Sequence, residues 1–506
     1  MPNKENSHKN SKKIQQDSIP HKTYIVAART DGLGERLCAL LNAMAVSKLS
    51  GLAFRFSWIN PNQGKNLNNN QVLMPFANFP TKQQLFQNKF IQKYDIGDAY
   101  HTLVGILGPF SLKWLQQENH GIVYIHQDFL KIQDVEVEKY RSTLAECFWE
   151  ISFTPKIQNL INFTRKCAEN FQEQFTAIHI RGGDFVYQPT WETITFNDKA
   201  TNVYLALEIA RIELEAGKSV VLFSDDLKTA QTLKKILTPK GKIYSIDDFF
   251  ERTQYLGYEQ SLFEILFMSF AEKIYSGSSS GFSRIAAMIG NKPKVSVYDC
   301  FTDEQKIKII HNYFFQFQSQ FHPAQQALAL MQLFIFGQNC SIDTHYLLDY
   351  IQTAYQLFPK TSYGILYLFA LLQNREYAKA NTLLEQFYNE RGEFLKMLSA
   401  HLHNKFVFGF SFAHYFTNTD ISAYPYLSYF AFRIAMIIYP SSLEYKLAIP
   451  NIQLILCYLG DINLITQFFD YIQESGNFQE IYPILSLIKQ NLETFNNFVN
   501  FNGKWI

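Results

Sequence analysis

Charge of one sign is missing from this chain as a bulk property. Lys and Arg total 46 and Asp and Glu total 45, a formal net charge of +1. A general nucleic-acid binder carries a basic excess, so that class is excluded and no nucleic-acid partner is expected. Cysteine is also scarce, with six in 506 residues. Cys38, Cys147, Cys167, Cys300, Cys340 and Cys457 form no CxxC pair and no Cys/His spacing that suits zinc. Most lie in apolar runs, where a free thiol behaves as a small hydrophobe, so a reducing cytoplasm is expected, with room for a peripheral position at the inner membrane. Long apolar runs are lacking too. The stretch 429–439 (YFAFRIAMIIY) is short and broken by Arg433, so it reads as a buried helix and not as a membrane span. The first 22 residues have no apolar segment of the secretory type and read as a polar, disordered tail.

What is present is a large apolar complement, 47% of residues, with 16% aromatics. That composition means a folded protein, and the length asks for two or three domains. After the tail, TYIVAAR (23–29), DGLGERL and the periodic run to residue 50 read as strand, Gly-rich turn and helix. Strands follow at 52–58 and 122–126, with a helix at 134–148; the stretch 72–120 carries no clear signal. A second α/β series begins near 170. It has strands at 175–181, 219–226, 242–246 and 273–276, helices at 202–217 and 258–272, a Ser/Gly turn with a helix to 291, and a last strand at 294–299. Alternation of this kind predicts α/β units with parallel sheets, partitioned as 23–165 and 166–322. Beyond 322 strand signals fade, and 323–506 reads as all-α. There 374–394 carries a loose tetratricopeptide-like pattern without a clean repeat. The aromatics Phe406, Phe408, Phe410, Phe412, Tyr415 and Phe416 are expected in helix–helix cores, or as a platform for a sugar or lipid-linked ligand.

Three predicted strands end in polar clusters, and ligands of open α/β sheets sit at carboxyl ends of strands. HIRGGD places His179 and Arg181 on one face, since strand side chains alternate. Arg181 has the planar fork that grips phosphate, Gly182 and Gly183 permit a tight turn, and Asp184 is placed to orient Arg181 or touch a ligand. A surface ion pair is the plain alternative. FSDD brings Asp225 and Asp226 to a strand end, for a base edge, ribose or metal, or simply as a cap of the next helix. SGSSSGFSRIAAMIG sets Ser278, Ser279 and Ser280 before a helix, where backbone N–H groups favour an anion, with Ser283 and Arg284 a turn further in; the alternative is an ordinary capped turn. In DGLGERL, Gly32, Gly34 and Arg36 form a Gly-rich first turn without full GxGxxG spacing.

In this order the four pieces resemble the fucosyltransferase superfamily that carries an HxRxxD peptide, the α-1,6-, α-1,2- and protein O-fucosyltransferases. The likeness covers about 23–312. It implies two Rossmann-like domains in the GT-B arrangement, the first on the acceptor side and the second binding the nucleotide sugar. The resemblance implies inverting, metal-independent transfer of fucose from GDP-fucose, with no cofactor, to a glycan or lipid-linked glycan acceptor. By position, Arg181 would bind the β-phosphate, His179 support the donor pocket, and Asp184 hold Arg181 or the sugar. Asp225 or Asp226 would meet the guanosine, and Ser279, Ser280 and the following helix the diphosphate. Glu264 sits where α-1,6 members have a carboxylate. Two positions depart from the pattern: Gly182 replaces the second Arg of HxRRxD, and Glu35 replaces the Asn of the first loop. They keep open a donor other than GDP-fucose. Glu192 is the nearest carboxylate for the general base, with Asp31 and Glu35 as rivals. The third reading is a non-catalytic scaffold whose helical part contacts a protein or a membrane surface.

Overall fold

The computed structural model describes residues 23–58, 79–97, 105–106, 108–117, 119–189, 197–389, 424 and 426–427. The tail 1–22, Glu192, Cys457 and the aromatic cluster at 406–416 lie outside the described residues. In chain order the elements are β1 (Tyr24–Ala27), α1 (Leu33–Ser50), β2 (Ala53–Phe56), α2 (Lys82–Leu85), α3 (Asn88–Tyr94), α4 (Leu112–Gln117), β3 (Ile122–Tyr124), α5 (Val137–Glu150) and α6 (Pro155–Phe171). Then come β4 (Phe175–Ile180), α7 (Gly183–Tyr187), α8 (Val203–Glu215), β5 (Ser219–Ser224), α9 (Leu227–Leu237), β6 (Ile243–Ser245), α10 (Gly257–Met268), β7 (Lys273–Ser276), α11 (Gly281–Gly290) and β8 (Lys294–Ser296). Five helices follow: α12 (Asp303–Phe317), α13 (Pro323–Asn339), α14 (Thr344–Leu357), α15 (Thr361–Gln373) and α16 (Tyr377–Asn389). The expected α/β alternation with parallel sheets is what the chain forms. No helix among the described residues is long and apolar enough to cross a membrane.

The chain divides into two compact units. The first joins residues 1–172 to two later segments, 251–271 and 281–293. Its sheet has the order β2-β1-β3, all parallel. Helix α1 lies over β1 and buries Leu37, Leu40, Leu41 and Val46, because apolar residues recur at helical spacing along it. Helix α10 packs on α6, with Phe263 against Phe163 at 5.8 Å and Phe267 against Phe171 at 6.5 Å. Helix α11 lies against α1 at Gly34. A Cβ on Gly34 would stand 2.8 Å from the backbone carbon of Gly281, so only glycine permits that approach.

The second unit comprises 173–250, 272–280 and 294–506. Its five-stranded parallel sheet has the order β6-β5-β4-β7-β8. The residues of β4 and β5 are buried throughout, as expected of central parallel strands covered on both faces. Among the described residues, the later helices share a core with the sheet. Ile178, Leu222 and Tyr204 belong to one apolar cluster with Leu328, Leu333, Phe334, Leu366 and Phe369. The hydrophobic face of α13 therefore completes the cover of the sheet instead of closing on the helices alone.

Candidate active site

The sheet of the second unit changes winding direction at β4. From β4 the chain runs outward to β5 and β6, then returns to β7 on the other side. The crevice beyond the carboxyl ends of β4 and β7 is thus a topological switch point, the place where open α/β sheets bind ligands. Arg181 and Gly182 emerge from β4 there, and Gly277 to Ser280 emerge from β7.

A single hydroxyl ties the two strand ends together. Thr201 Oγ1 donates to the His179 carbonyl at 3.0 Å and accepts from the Arg181 and Gly277 backbone N–H groups, each at 3.2 Å. The Thr201 N–H in turn donates to the Arg181 carbonyl at 3.1 Å. The loop before Thr201 lies on the serine turn: Ser278 N–H donates to the Asp198 carbonyl at 2.9 Å. A Cβ on Gly277 would meet the carbonyl oxygens of Asp198, at 2.7 Å, and of Lys199. Lys294 Nζ donates to the carbonyls of Ser278 at 2.8 Å and Gly277 at 3.3 Å from the outer strand β8. Ser278 Oγ lies 2.9 Å from Ser296 Oγ. Ser279 keeps a buried hydroxyl without a hydrogen-bond partner among the described residues, and Ser280 Oγ lies 3.4 Å from His179 Nδ1. His179 is buried, and that burial, reinforced by the charges of Arg181 and Lys294, pushes its imidazole down to about 3. It is neutral at physiological pH.

The two aspartates of FSDD divide their tasks. Asp226 caps α9, accepting from Thr229 N–H at 3.1 Å and Thr229 Oγ1 at 2.6 Å, and also from Gln325 Nε2 at 3.1 Å and the Tyr187 hydroxyl. Burial opposes its ionisation, but these donors outweigh burial and hold the carboxyl below its ordinary value. Asp225 is exposed and accepts the Gly182 N–H at 2.7 Å. Gly183 has φ +32°, and a Cβ there would collide with Asp225 Oδ2. The glycine pair therefore lets the backbone turn beneath the Asp225 carboxylate. Asp184 falls in α7, and its side chain lies outside the described residues.

Of the remaining residues singled out in the sequence, eight lie in the first unit. Gly32 precedes α1 as its N-cap. Arg36 is buried, donates to the carbonyls of Asp31 and Thr30, both at 2.8 Å, and lies over Trp58 and Phe79. Burial pushes its guanidinium down to about 10, with Asp31 opposing, so it stays charged. Gly34 serves the α1–α11 approach described above. Arg284 on α11 is buried between Glu35 and Asp128, at 2.7 Å each. Ser283 is buried on the same helix. Glu264 is paired with Arg252 at 2.6 Å. Asp31, one rival for the base, is paired with Arg29. Glu35, the other, is held by Arg284 and lies against Gly281, the first residue of α11.

Thr201, Lys199 and Gln325 were not singled out in the sequence. The one available signal was Asn202, whose side chain caps α8 by accepting from Tyr204 and Leu205 N–H, so the residues just before it had to form a loop near the strand ends.

Fold and strand-end chemistry together define an α/β protein with two parallel-sheet units, the second carrying an anion-ready edge of one Arg, a serine turn and an exposed carboxylate. No family model matches the chain, and no curated protein matches it. It is similar to solved fucosyltransferase structures. One is the fucosyltransferase NodZ from Bradyrhizobium, at 14% identity over 52% of this chain and 92% of that one, with a TM-score of 0.31. Another is NodZ α-1,6-fucosyltransferase soaked with GDP-fucose, at 13% identity over 53% and 92%, with a TM-score of 0.31. A third is POFUT1 in complex with GDP-fucose, at 13% identity over 55% and 99%, with a TM-score of 0.32.

Proposed function

We propose that this protein is a glycosyltransferase that moves fucose from GDP-fucose to a hydroxyl of a glycan or lipid-linked glycan, with inversion and without a metal. The observation that carries the reading is the convergence of Arg181, Asp225 and the serine turn at one switch point of the second sheet. The motif order HIRGGD, FSDD and SGSSSGFSR supports the donor class.

In this mechanism the acceptor oxygen attacks C1 of the sugar, and the bond from C1 to the β-phosphate oxygen breaks. The acceptor proton passes to a base, and negative charge builds on the departing diphosphate. A guanidinium and preorganised N–H and O–H donors stabilise that charge where it develops. Arg181 supplies the cation and Ser279 and Ser280 the hydroxyls. Asp225, exposed beside Gly182, faces the nucleoside end. The neutral His179 backs Ser280 without adding a second positive charge beneath it.

Turnover of GDP-fucose with a panel of glycan acceptors tests the reading. Arg181→Ala is expected to lower kcat/KM by at least about a hundredfold, the loss typical of removing one transition-state charge contact. Normal turnover by that variant would sink the mechanism. A second reading, another nucleotide sugar on the same fold, draws on Gly182: its N–H is taken by Asp225 and it brings no guanidinium to the site. Stabilisation by a UDP-sugar but not by GDP-fucose in a thermal-shift panel would favour it.

A further inference from the structure

A nucleoside diphosphate brings two or more negative charges to its site, and the strand-end peptide offers only Arg181 against them. Besides Lys294, which is taken up by the serine-turn carbonyls, the structure brings another cation to the aromatic ring that Arg181 contacts, from the loop between α7 and α8. Lys199 Nζ lies 4.9 Å from the centroid of the Phe185 ring, and Arg181 Cζ lies 5.2 Å from the same centroid. Phe185 is buried, so this ring is a fixed platform for both cations. The backbone of Lys199 is fixed as well. Its carbonyl lies over Gly277, its neighbour Asp198 accepts from the Ser278 N–H at 2.9 Å, and Thr201 two residues on is hydrogen bonded to both strand ends. An Arg, a Lys and a turn bearing serine hydroxyls, tied to one another through Thr201, match an anion with two phosphoryl groups.

We propose that Lys199 is a second phosphate-binding cation of this site, closing with Arg181 on the diphosphate of the nucleotide donor. The inference rests on the reading of the site as a nucleotide-sugar site. It assigns to a loop residue, fifteen positions beyond the HIRGGD peptide, the charge that Gly182 does not bring. Lysine fits this role as a point charge on a flexible stem, while the planar fork of Arg181 fixes the orientation of the phosphate.

Binding of GDP, GMP and guanosine to the full-length protein separates the possibilities. Lys199→Met keeps the apolar stem beside Phe185 and removes the charge. It is expected to weaken GDP by about tenfold to a hundredfold, the worth of one charge-assisted hydrogen bond, and to leave guanosine unchanged. Lys199→Arg is expected to retain most of the GDP affinity. GDP binding by Lys199→Met equal to that of the wild type overturns the proposal. A parallel loss of GDP and guanosine also overturns it, since that marks Lys199 as a loop support only. If the wild type binds neither GDP nor UDP nor ADP, the nucleotide-sugar reading itself falls and Lys199 loses its role with it.

Discussion

At the residue scale, His179 carries the clearest pH signature. Its imidazole is held near 3 in the fold by burial against an ordinary value of 6.5. Between those values the unfolded chain binds the proton and the folded chain does not, so stability is full above about pH 6.5 and is lost as pH falls towards 3. His179→Asn is expected to lose part of this slope: the difference between Tm at pH 7 and at pH 5 should shrink, as calorimetric scans at the two pH values would measure. Much of the site at this scale was legible in the sequence. The pairing of a strand with HIRGGD and SGSSSG placed Arg181, His179 and Ser280 together, because strand ends and their turns are set by local pattern. The division of labour between Asp225 and Asp226 was not legible. It depends on Tyr187, Thr229 and Gln325 choosing one carboxylate, and Gln325 lies a hundred residues away in sequence.

At the element scale, α13 is the brace of the loop at 197–202. Gln332 on that helix accepts from Asn202 Nδ2 at 2.7 Å and donates to the Asn197 carbonyl at 2.7 Å and to the Tyr298 hydroxyl at 2.7 Å. Tyr298 passes the chain on to the Ala200 carbonyl at 2.6 Å and accepts from the Asn202 N–H at 3.1 Å. This buried network fixes residues 197–202, and through Thr201 it fixes the ends of β4 and β7. Gln332→Leu removes the acceptor of the fully buried Asn202 amide, a cost of about 1–3 kcal/mol for a buried group left unsatisfied, and one donor to the Asn197 carbonyl. Tm is therefore expected to fall by several degrees and, under the proposed function, GDP affinity to weaken with it, because the loop that carries Lys199 is loosened. The element order of the α/β part was readable from alternating apolar runs and turns. The brace was not, since a buried Gln on an apolar helix looks like any polar interruption until its partners are placed.

At the scale of the whole molecule, the helices that follow residue 322 share their core with the second sheet. Leu328, Leu333 and Phe334 are buried to within 1% of full cover in the cluster that holds Ile178 and Leu222. A fragment ending at residue 322 would expose that apolar face, so it is expected to lose cooperative unfolding and GDP binding and to aggregate; a soluble fragment with wild-type GDP affinity would refute this. The composition announced a helical region but not its debt to the sheet, because apolar periodicity records that a face is buried without saying against what. The first unit has a different consequence. It is assembled from three separate stretches of chain, and the last of them ends at residue 293. During synthesis, domains ordinarily fold in order as they leave the ribosome. Here the earliest residues made must wait, half-finished, until much of the second sheet has already been translated, and the apolar face of α1 that Gly34 brings to α11 stays uncovered in the interval. The unit begun first is thus interrupted twice, and it closes only after four strands of the second sheet have been made. Arrested nascent chains should show protease protection of α1, α5 and α6 only once residue 293 has emerged.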